Sequence, residues 1–148
     1  MSPYLERLST LLDDEPAITA VLGRRAASLA VAEPARAMVI AALVRRTGRH
    51  PLVVAVPTGT EAERLANDLR IYLGDDAVEL FPAWETLPFE RISPGVETMG
   101  RRLRVLHRLG DLADRPSVLV EKVNGSPLFI GPGQIRARPS SVLSGDVC

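Results

Sequence analysis

Residues 51–58 read Pro51-Leu-Val-Val-Ala-Val-Pro-Thr58, and this stretch decides the fold. Its centre, Leu52 to Val56, is an unbroken aliphatic run with a proline on each side. Such a run is typical of a strand that is covered on both faces, as in a parallel sheet flanked by helices. We therefore predict a buried central strand over these five residues.

Helical and strand-like segments alternate on both sides of this strand. Further strands are predicted at Ala26 to Val31, Val78 to Phe81 and Ser117 to Val120. Helical periodicity is found near the N-terminus and in the segments Ala35 to Arg46, Thr60 to Gly74 and Val96 to Ala113. Strands that alternate with helices through short links favour a parallel sheet. The sequence predicts an α/β fold, with a parallel sheet of about four strands flanked by helices.

Composition restricts the class of protein. The chain has 148 residues, of which 46% are hydrophobic and 24% charged, as expected for one soluble globular domain. Eighteen basic and 18 acidic residues leave no net charge to attract nucleic acid over a distance. Cys148 is the single cysteine, which excludes an internal disulfide framework. The N-terminus lacks the pattern of an export signal and no apolar run is long enough to cross a membrane, so we expect a cytoplasmic protein.

The character of the sequence changes after Val120. Residues 121–148 contain four glycines and three prolines without any hydrophobic periodicity. We therefore predict an α/β module over residues 1–120 and an irregular Gly/Pro-rich tail over residues 121–148.

The loop after the first strand is where an α/β domain of this kind would hold a phosphate. A working phosphate loop reads GxxxxGK[ST], because glycine amides, a lysine and a hydroxyl contact the phosphates and magnesium. Here the loop from Ala30 has no glycine, Glu33 adds negative charge, Arg36 replaces the lysine and Ala37 replaces the hydroxyl. We expect no catalytic residue, no nucleotide and no metal in this chain. Arg36 is explained either as an anion ligand or as an ordinary surface residue.

Two further groups of residues are candidates for contacts with nucleic acid or a partner. Arg101, Arg102 and Arg104 lie in one helix, either as a basic stripe for phosphates or as the charged outer face of a helix that covers the sheet. Thr58 follows the central strand, and Thr60, with Glu63 three residues on, is predicted to cap the next helix.

Trp84 and Phe89 lie in an apolar, proline-rich segment, residues 82–95. Exposed aromatic side chains of this kind form hot spots for partner binding, and buried ones belong to the core. Both interpretations fit the sequence.

The string from Leu80 to Leu109, LFPAWETLPFERISPGVETMGRRLRVLHRL, resembles the N-terminal module of bacterial transcription-repair coupling factors. With the preceding VVAVPTGTEAERLANDLRIYLG, the resemblance covers about Leu5 to Val120. It implies a helicase-like fold similar to the repair protein UvrB, with a degenerate Walker A loop. In the intact family protein, ATP and magnesium drive a motor that lies elsewhere, and the partners are UvrA, RNA polymerase and DNA.

The resemblance ends near Glu121, where the family continues into a subdomain that carries the main UvrA contacts. A truncation or frameshift would produce this pattern. We therefore expect a non-catalytic interaction module from a DNA repair factor, without the main UvrA-binding and polymerase-binding parts. The alternatives are a self-standing degenerate nucleotide-binding domain and a basic-helix nucleic-acid binder. We also expect exposed apolar helix faces and self-association.

Overall fold

The central strand forms where the aliphatic run predicts it. The structure, a computed structural model, describes residues 3–83, 95–122, 135–138 and 142–145. Strand β2 is Leu52–Val56, and its side chains at Leu52, Val54 and Val56 are buried. Strand β4 (Val118–Lys122) lies beside β2 in parallel register, with Val54 opposite Val120. Strand β3 (Val78–Phe81) pairs with β4, also in parallel.

The described part of the sheet has six strands. The remaining strands are β1 (Ala27–Ala30), β5 (Ile135–Arg138) and β6 (Val142–Gly145), and the order across the sheet is β1-β6-β5-β2-β4-β3. Strand β5 is parallel to β2, whereas β6 is antiparallel to both β5 and β1. Because β6 is antiparallel to both of its neighbours, β1 runs in the same direction as β5 and β2. Strand β1 is not hydrogen-bonded to β2. The predicted α/β class and its parallel strands are confirmed.

Ten residues of the predicted irregular tail lie in strands: Glu121 and Lys122 extend β4, and eight more form β5 and β6. Strands β5 and β6 lie between β1 and β2 and join the two parts of the sheet. Their segments IRAR and VLSG are too short for periodicity to reveal them. Their partners are distant in the sequence, since Ala27 lies opposite Gly145. Residues 123–134, 139–141 and 146–148 of the predicted tail lie outside the described residues.

Five α-helices accompany these strands in the described residues. They are α1 (Pro3–Leu8), α2 (Pro16–Val21), α3 (Arg36–Thr47), α4 (Gly59–Leu73) and α5 (Val96–Gly110), with short 3₁₀ helices at Ser9–Leu12 and Glu33–Ala35. Helix α3 ends at Gly48, whose positive φ of 59° suits glycine. Helix α4 ends at Gly74, also at positive φ.

The core lies between the central strands and two of the helices. One buried cluster joins β2, β3 and β4 to α3 and α4, and includes Ile40, Val54, Leu69 and Val118. A smaller cluster joins the other side of α3 to α2 and the end of β1 through Ile18, Val31, Val39 and Leu43. Helix α3 therefore packs on both sides, which fixes the loop between β1 and α3.

Candidate functional site

The loop that the sequence analysis compared with a phosphate loop passes into α3 through a tight turn. After β1 ends at Ala30, a 3₁₀ turn at Glu33–Ala35 leads directly into α3, and the Ala35 amide donates to the Ala32 carbonyl at 2.9 Å. The side chain of Ala37 is buried in the main core cluster. The residue that stands in the position of the magnesium-binding hydroxyl therefore faces the core.

The charged residues of this loop have structural roles or remain at its surface. Glu33 forms an ion pair with Arg64 of α4, with 3.5 Å between Oε1 and Nη1, and both side chains are largely exposed. Arg36 begins α3 and is half-buried. The pair between Glu33 and Arg64 joins the loop to α4.

Thr58 caps helix α4, and the predicted cap at Thr60 is wrong. The Thr58 hydroxyl accepts from the Glu61 amide at 3.1 Å and donates to the Glu61 carboxylate at 3.0 Å. Thr60 lies inside the first turn. The hydroxyl that was a candidate for a backbone phosphate contact is therefore engaged by its own helix.

The three arginines of α5 do not form one stripe. Arg102 lies over the ring of Phe81, 3.9 Å from its centroid, and donates to the carbonyl of Pro82. Arg101 points outward and pairs with Glu97 one turn earlier at 2.6 Å. Arg104 is exposed, and its Nη2 lies 3.6 Å from an oxygen of Glu79. The structure thus separates one inward-facing arginine from two exposed ones.

Arg102 and Glu121 influence each other at the end of the sheet. Burial lowers the pKa of Arg102, and the negative charge of Glu121 acts in the opposite direction. Burial raises the pKa of the Glu121 carboxyl, which the positive charge of Arg102 partly offsets. Glu121 lies opposite Phe81 in the register of β4 and β3, so the ring, the guanidinium and the carboxyl form one cluster.

Arg108, which the sequence analysis did not select, is the best-anchored arginine of the helix. It donates to Glu79 at 2.8 Å, to both carboxylate oxygens of Asp114 at 3.0 and 3.1 Å, and to the carbonyl of Asp76 at 2.8 Å. Its hydrogen bonds to Asp114 and then Glu79 raise its pKa. The signal in the sequence was Glu79, an acid inside the apolar strand VELF, because a buried carboxylate requires a cation.

A cavity of about 390 Å³ opens at the carboxyl ends of β3 and β4, beside the start of α4. Phe81, Gly59 and Thr98 line it, with the basic residues Arg101 and Lys122. Two carboxylates, Glu63 and Glu97, also line the cavity, and Arg101 already pairs with Glu97. The cavity therefore has mixed charge, and its position is the usual ligand site of parallel sheets.

The exposed part of α5 carries large apolar side chains beside its charged ones, a feature that the interpretation of α5 as an ordinary cover helix did not predict. Val105 and Thr98 are the buried side chains of this helix. Val96, Met99, Leu103 and Leu106 are exposed, Val96 to 89% and Leu103 to 60%. The reason is that Arg102 and Arg108 take inward positions, through a ring contact and ion pairs, so the leucines face away from the sheet.

Trp84 and Phe89 lie outside the described residues. Within the described ranges, no group of three or more His, Cys, Asp and Glu side chains could hold a metal ion. None of the helices in the described part of the chain is long and apolar enough to span a membrane.

Comparison with known proteins identifies relatives. No family model matches the chain. It is 50% identical over 88 residues to the transcription-repair-coupling factors of Mycobacterium bovis (strain ATCC BAA-935 / AF2122/97) and Mycobacterium tuberculosis (strain CDC 1551 / Oshkosh). The match covers 59% of this chain and 7% of each relative, so the chain spans a small part of their length. The resemblance expected from the sequence is confirmed: over these 88 residues the chain is homologous to transcription-repair-coupling factors.

Proposed function

We propose that this chain is a non-catalytic interaction module of a transcription-repair coupling factor, with a role in transcription-coupled nucleotide-excision repair in the cytoplasm. The homology to two coupling factors supports the repair context. The observation that carries the non-catalytic part is the short turn from β1 into α3, where Ala37 in the first turn of the helix packs in the core.

The chemistry of phosphate binding supports this proposal over a nucleotide-binding domain. ATP hydrolysis in such folds requires close backbone approach at glycines, a lysine on the phosphates and a hydroxyl on magnesium. None of these groups is present between Ala30 and Ala37, and Glu33 would repel the phosphates. ATP and magnesium would act elsewhere in an intact factor, as would the motor that they drive.

The contacts of the arginines weigh against the nucleic-acid alternative. Binding to a phosphate backbone depends on cations that are free to replace counterions. Arg102 and Arg108 have local partners, and the exposed Arg101 pairs with Glu97. An interaction with protein, through the apolar face of α5, is the better match to this surface.

The partners proposed for an intact factor are UvrA, RNA polymerase and DNA. We propose that the module supports the folding and regulation of neighbouring domains and does not itself carry the main contacts with UvrA or the polymerase. A chimera tests this role: the present chain replaces its matched segment in the Mycobacterium tuberculosis coupling factor. Repair of the transcribed strand after ultraviolet irradiation is then measured in cells that lack their own factor.

We expect the chimera to restore repair and to hydrolyse ATP at the rate of the unmodified factor. Substituting Arg36→Ala in the chimera should leave the ATPase rate unchanged, with Arg46→Ala at the exposed end of the same helix as a matched surface control. A selective loss of ATPase activity with Arg36→Ala would favour the nucleotide-binding alternative. A chimera that is folded and soluble but inactive in repair would contradict the proposed role.

A further inference from the structure

Strand β3 stands at one end of the order of the described strands, so only one of its two sides is paired within the sheet. The carbonyl of Ala77, just before β3, accepts from the amides of Ser117 and Val118 and therefore points toward β4. Because successive carbonyls of an extended strand point to opposite sides, those of Val78 and Pro82 point to the outer edge. An edge of this kind invites pairing with a strand of another molecule.

Arginines from two helices reach this edge from opposite faces of the sheet. Helix α4 packs on the face that carries Val78, and its Arg70 donates to the Val78 carbonyl at 3.4 Å. Helix α5 packs on the other face, where its Arg102 lies over the ring of Phe81 and donates to the Pro82 carbonyl. Both outward carbonyls therefore accept from a guanidinium group of the same chain.

Arg108 of α5 protects the beginning of the same edge. It donates to the carbonyl of Asp76, two residues before β3, at 2.8 Å, and to the carboxylate of Glu79 at 2.8 Å. Glu79 is an inward-pointing acid on an edge strand, which is one of the features by which natural proteins disfavour the addition of a further strand. At the other end of the edge, Pro82 has no N–H group to donate to such a strand.

These contacts occupy the acceptors that an added strand would need. The added strand would have to displace the guanidinium groups from the carbonyls and would lie against their positive charges. Three of the four residues of β3 are apolar, and an exposed apolar strand of this kind tends to pair with other copies of itself. We propose that Arg70, Arg102 and Arg108 close the outer edge of β3 to a second copy of this chain, which would otherwise pair there through its own β3.

Two double variants of the full chain test this proposal. The edge variant, Arg70→Ala with Arg102→Ala, removes one carbonyl contact made from α4 and one made from α5. The control, Arg64→Ala with Arg101→Ala, removes the same charge from the same two helices but breaks ion pairs between exposed side chains. Arg108 is left in place because its ion pairs also hold α5. Circular dichroism checks the fold, and the single variants Arg70→Ala and Arg102→Ala decide the test if the double variant is unfolded.

Sedimentation velocity measures association, and hydrogen exchange locates it. The edge variant should shift from the 16.0 kDa monomer toward the dimer at concentrations at which the wild type and the control show no such shift. By the same alternation, the Leu80 amide points to the outer edge, so its exchange should slow with rising concentration in the edge variant alone. Each single variant should show the same changes to a smaller extent, because it retains one of the two carbonyl contacts.

Three results would overturn the proposal. The first is association of the edge variant that does not exceed that of the control. The second is association of the edge variant without slower exchange at Leu80, because the contact would then lie on another surface, such as the exposed leucines of α5. The third is concentration-dependent slowing at Leu80 in the wild type, because the arginines would then leave the edge open.

Discussion

Helices α3 and α5 have similar lengths and both contact the sheet or its edge, but they are held in different ways. Seven of the twelve residues of α3 are buried, including Ile40 and Ala41, which are fully inaccessible. Only two of the fifteen residues of α5 are buried, and it is anchored by arginines that reach Glu79, Asp114 and Phe81. Apolar burial fixes α3, whereas polar contacts fix α5 and leave its leucines available.

The largest effect is expected for the core of α3. Ile40→Ala removes a fully buried side chain between the strands and the helix, and should lower the free energy of unfolding by about 3 kcal/mol. Leu103→Ala on α5 is the matched control and should change it by no more than about 0.5 kcal/mol, since Leu103 is exposed. Urea unfolding of dilute protein measures both changes in the free energy of unfolding. Equal losses would remove the distinction between the two helices.

The next effect concerns the ion pairs that hold α5. Glu79→Ala leaves Arg108 without its buried carboxylate and should cost about 2 kcal/mol. Glu97→Ala breaks the exposed pair with Arg101 and should cost less than about 0.5 kcal/mol. Hydrogen exchange of the α5 amides should accelerate in the first variant only. An unchanged stability of Glu79→Ala would show that α5 is held by something other than this network.

Helix α4 provides an intermediate case, with a buried side and a polar start. Thr58→Ala removes the cap that bonds the Glu61 amide and should lower stability by about 1 kcal/mol. Thr60→Ala, inside the first turn, should have an effect within about 0.5 kcal/mol. Thermal unfolding of the two variants measures both effects. A larger loss of stability for Thr60→Ala than for Thr58→Ala would indicate that Thr60 is the cap.

The smallest effect is a pH dependence at the end of the sheet that α5 covers. Burial raises the pKa of Glu121 above its ordinary value of 4.5, so the folded state favours the protonated carboxyl. The stability that protonated Glu121 contributes is fully present below pH 4.5 and is lost as the pH rises through the higher folded pKa. Glu121→Gln should therefore gain stability relative to the wild type as the pH rises above that value. A difference that is constant across this range would contradict the raised pKa.

The sequence predicted the strands β1 to β4 and the helices between them, because aliphatic runs and helical periodicity are local signals. It misplaced the cap of α4 because Thr58 and Thr60 each precede a glutamate by three residues. Only the backbone distinguishes these two capping boxes. It also missed β5 and β6, whose hydrogen bonds depend on partners far away in the chain.

In the candidate site, too, the sequence predicts what depends on local residues and not what depends on tertiary contacts. The lack of glycine, lysine and hydroxyl in the loop after β1 could be seen directly in the sequence. The direction in which each arginine of α5 points could not be predicted from the sequence, because it depends on contacts with Phe81, Glu79 and Asp114. Periodicity identifies the two faces of an amphipathic helix, and tertiary contacts decide which of them faces the sheet.

The position of β5 and β6 between β1 and β2 has a consequence for the order of folding. During synthesis, residues 27–30 emerge more than 100 residues before their sheet partners at residues 142–145. Strand β1 cannot form its hydrogen bonds with β6 until residues 142–145 have been synthesised. Pairings between such distant segments are slow to form. A chain ending at residue 134 should therefore leave the β1 amides open to hydrogen exchange while β2, β4 and β3 stay protected. Residues 142–145 thus determine when β1 becomes part of the sheet.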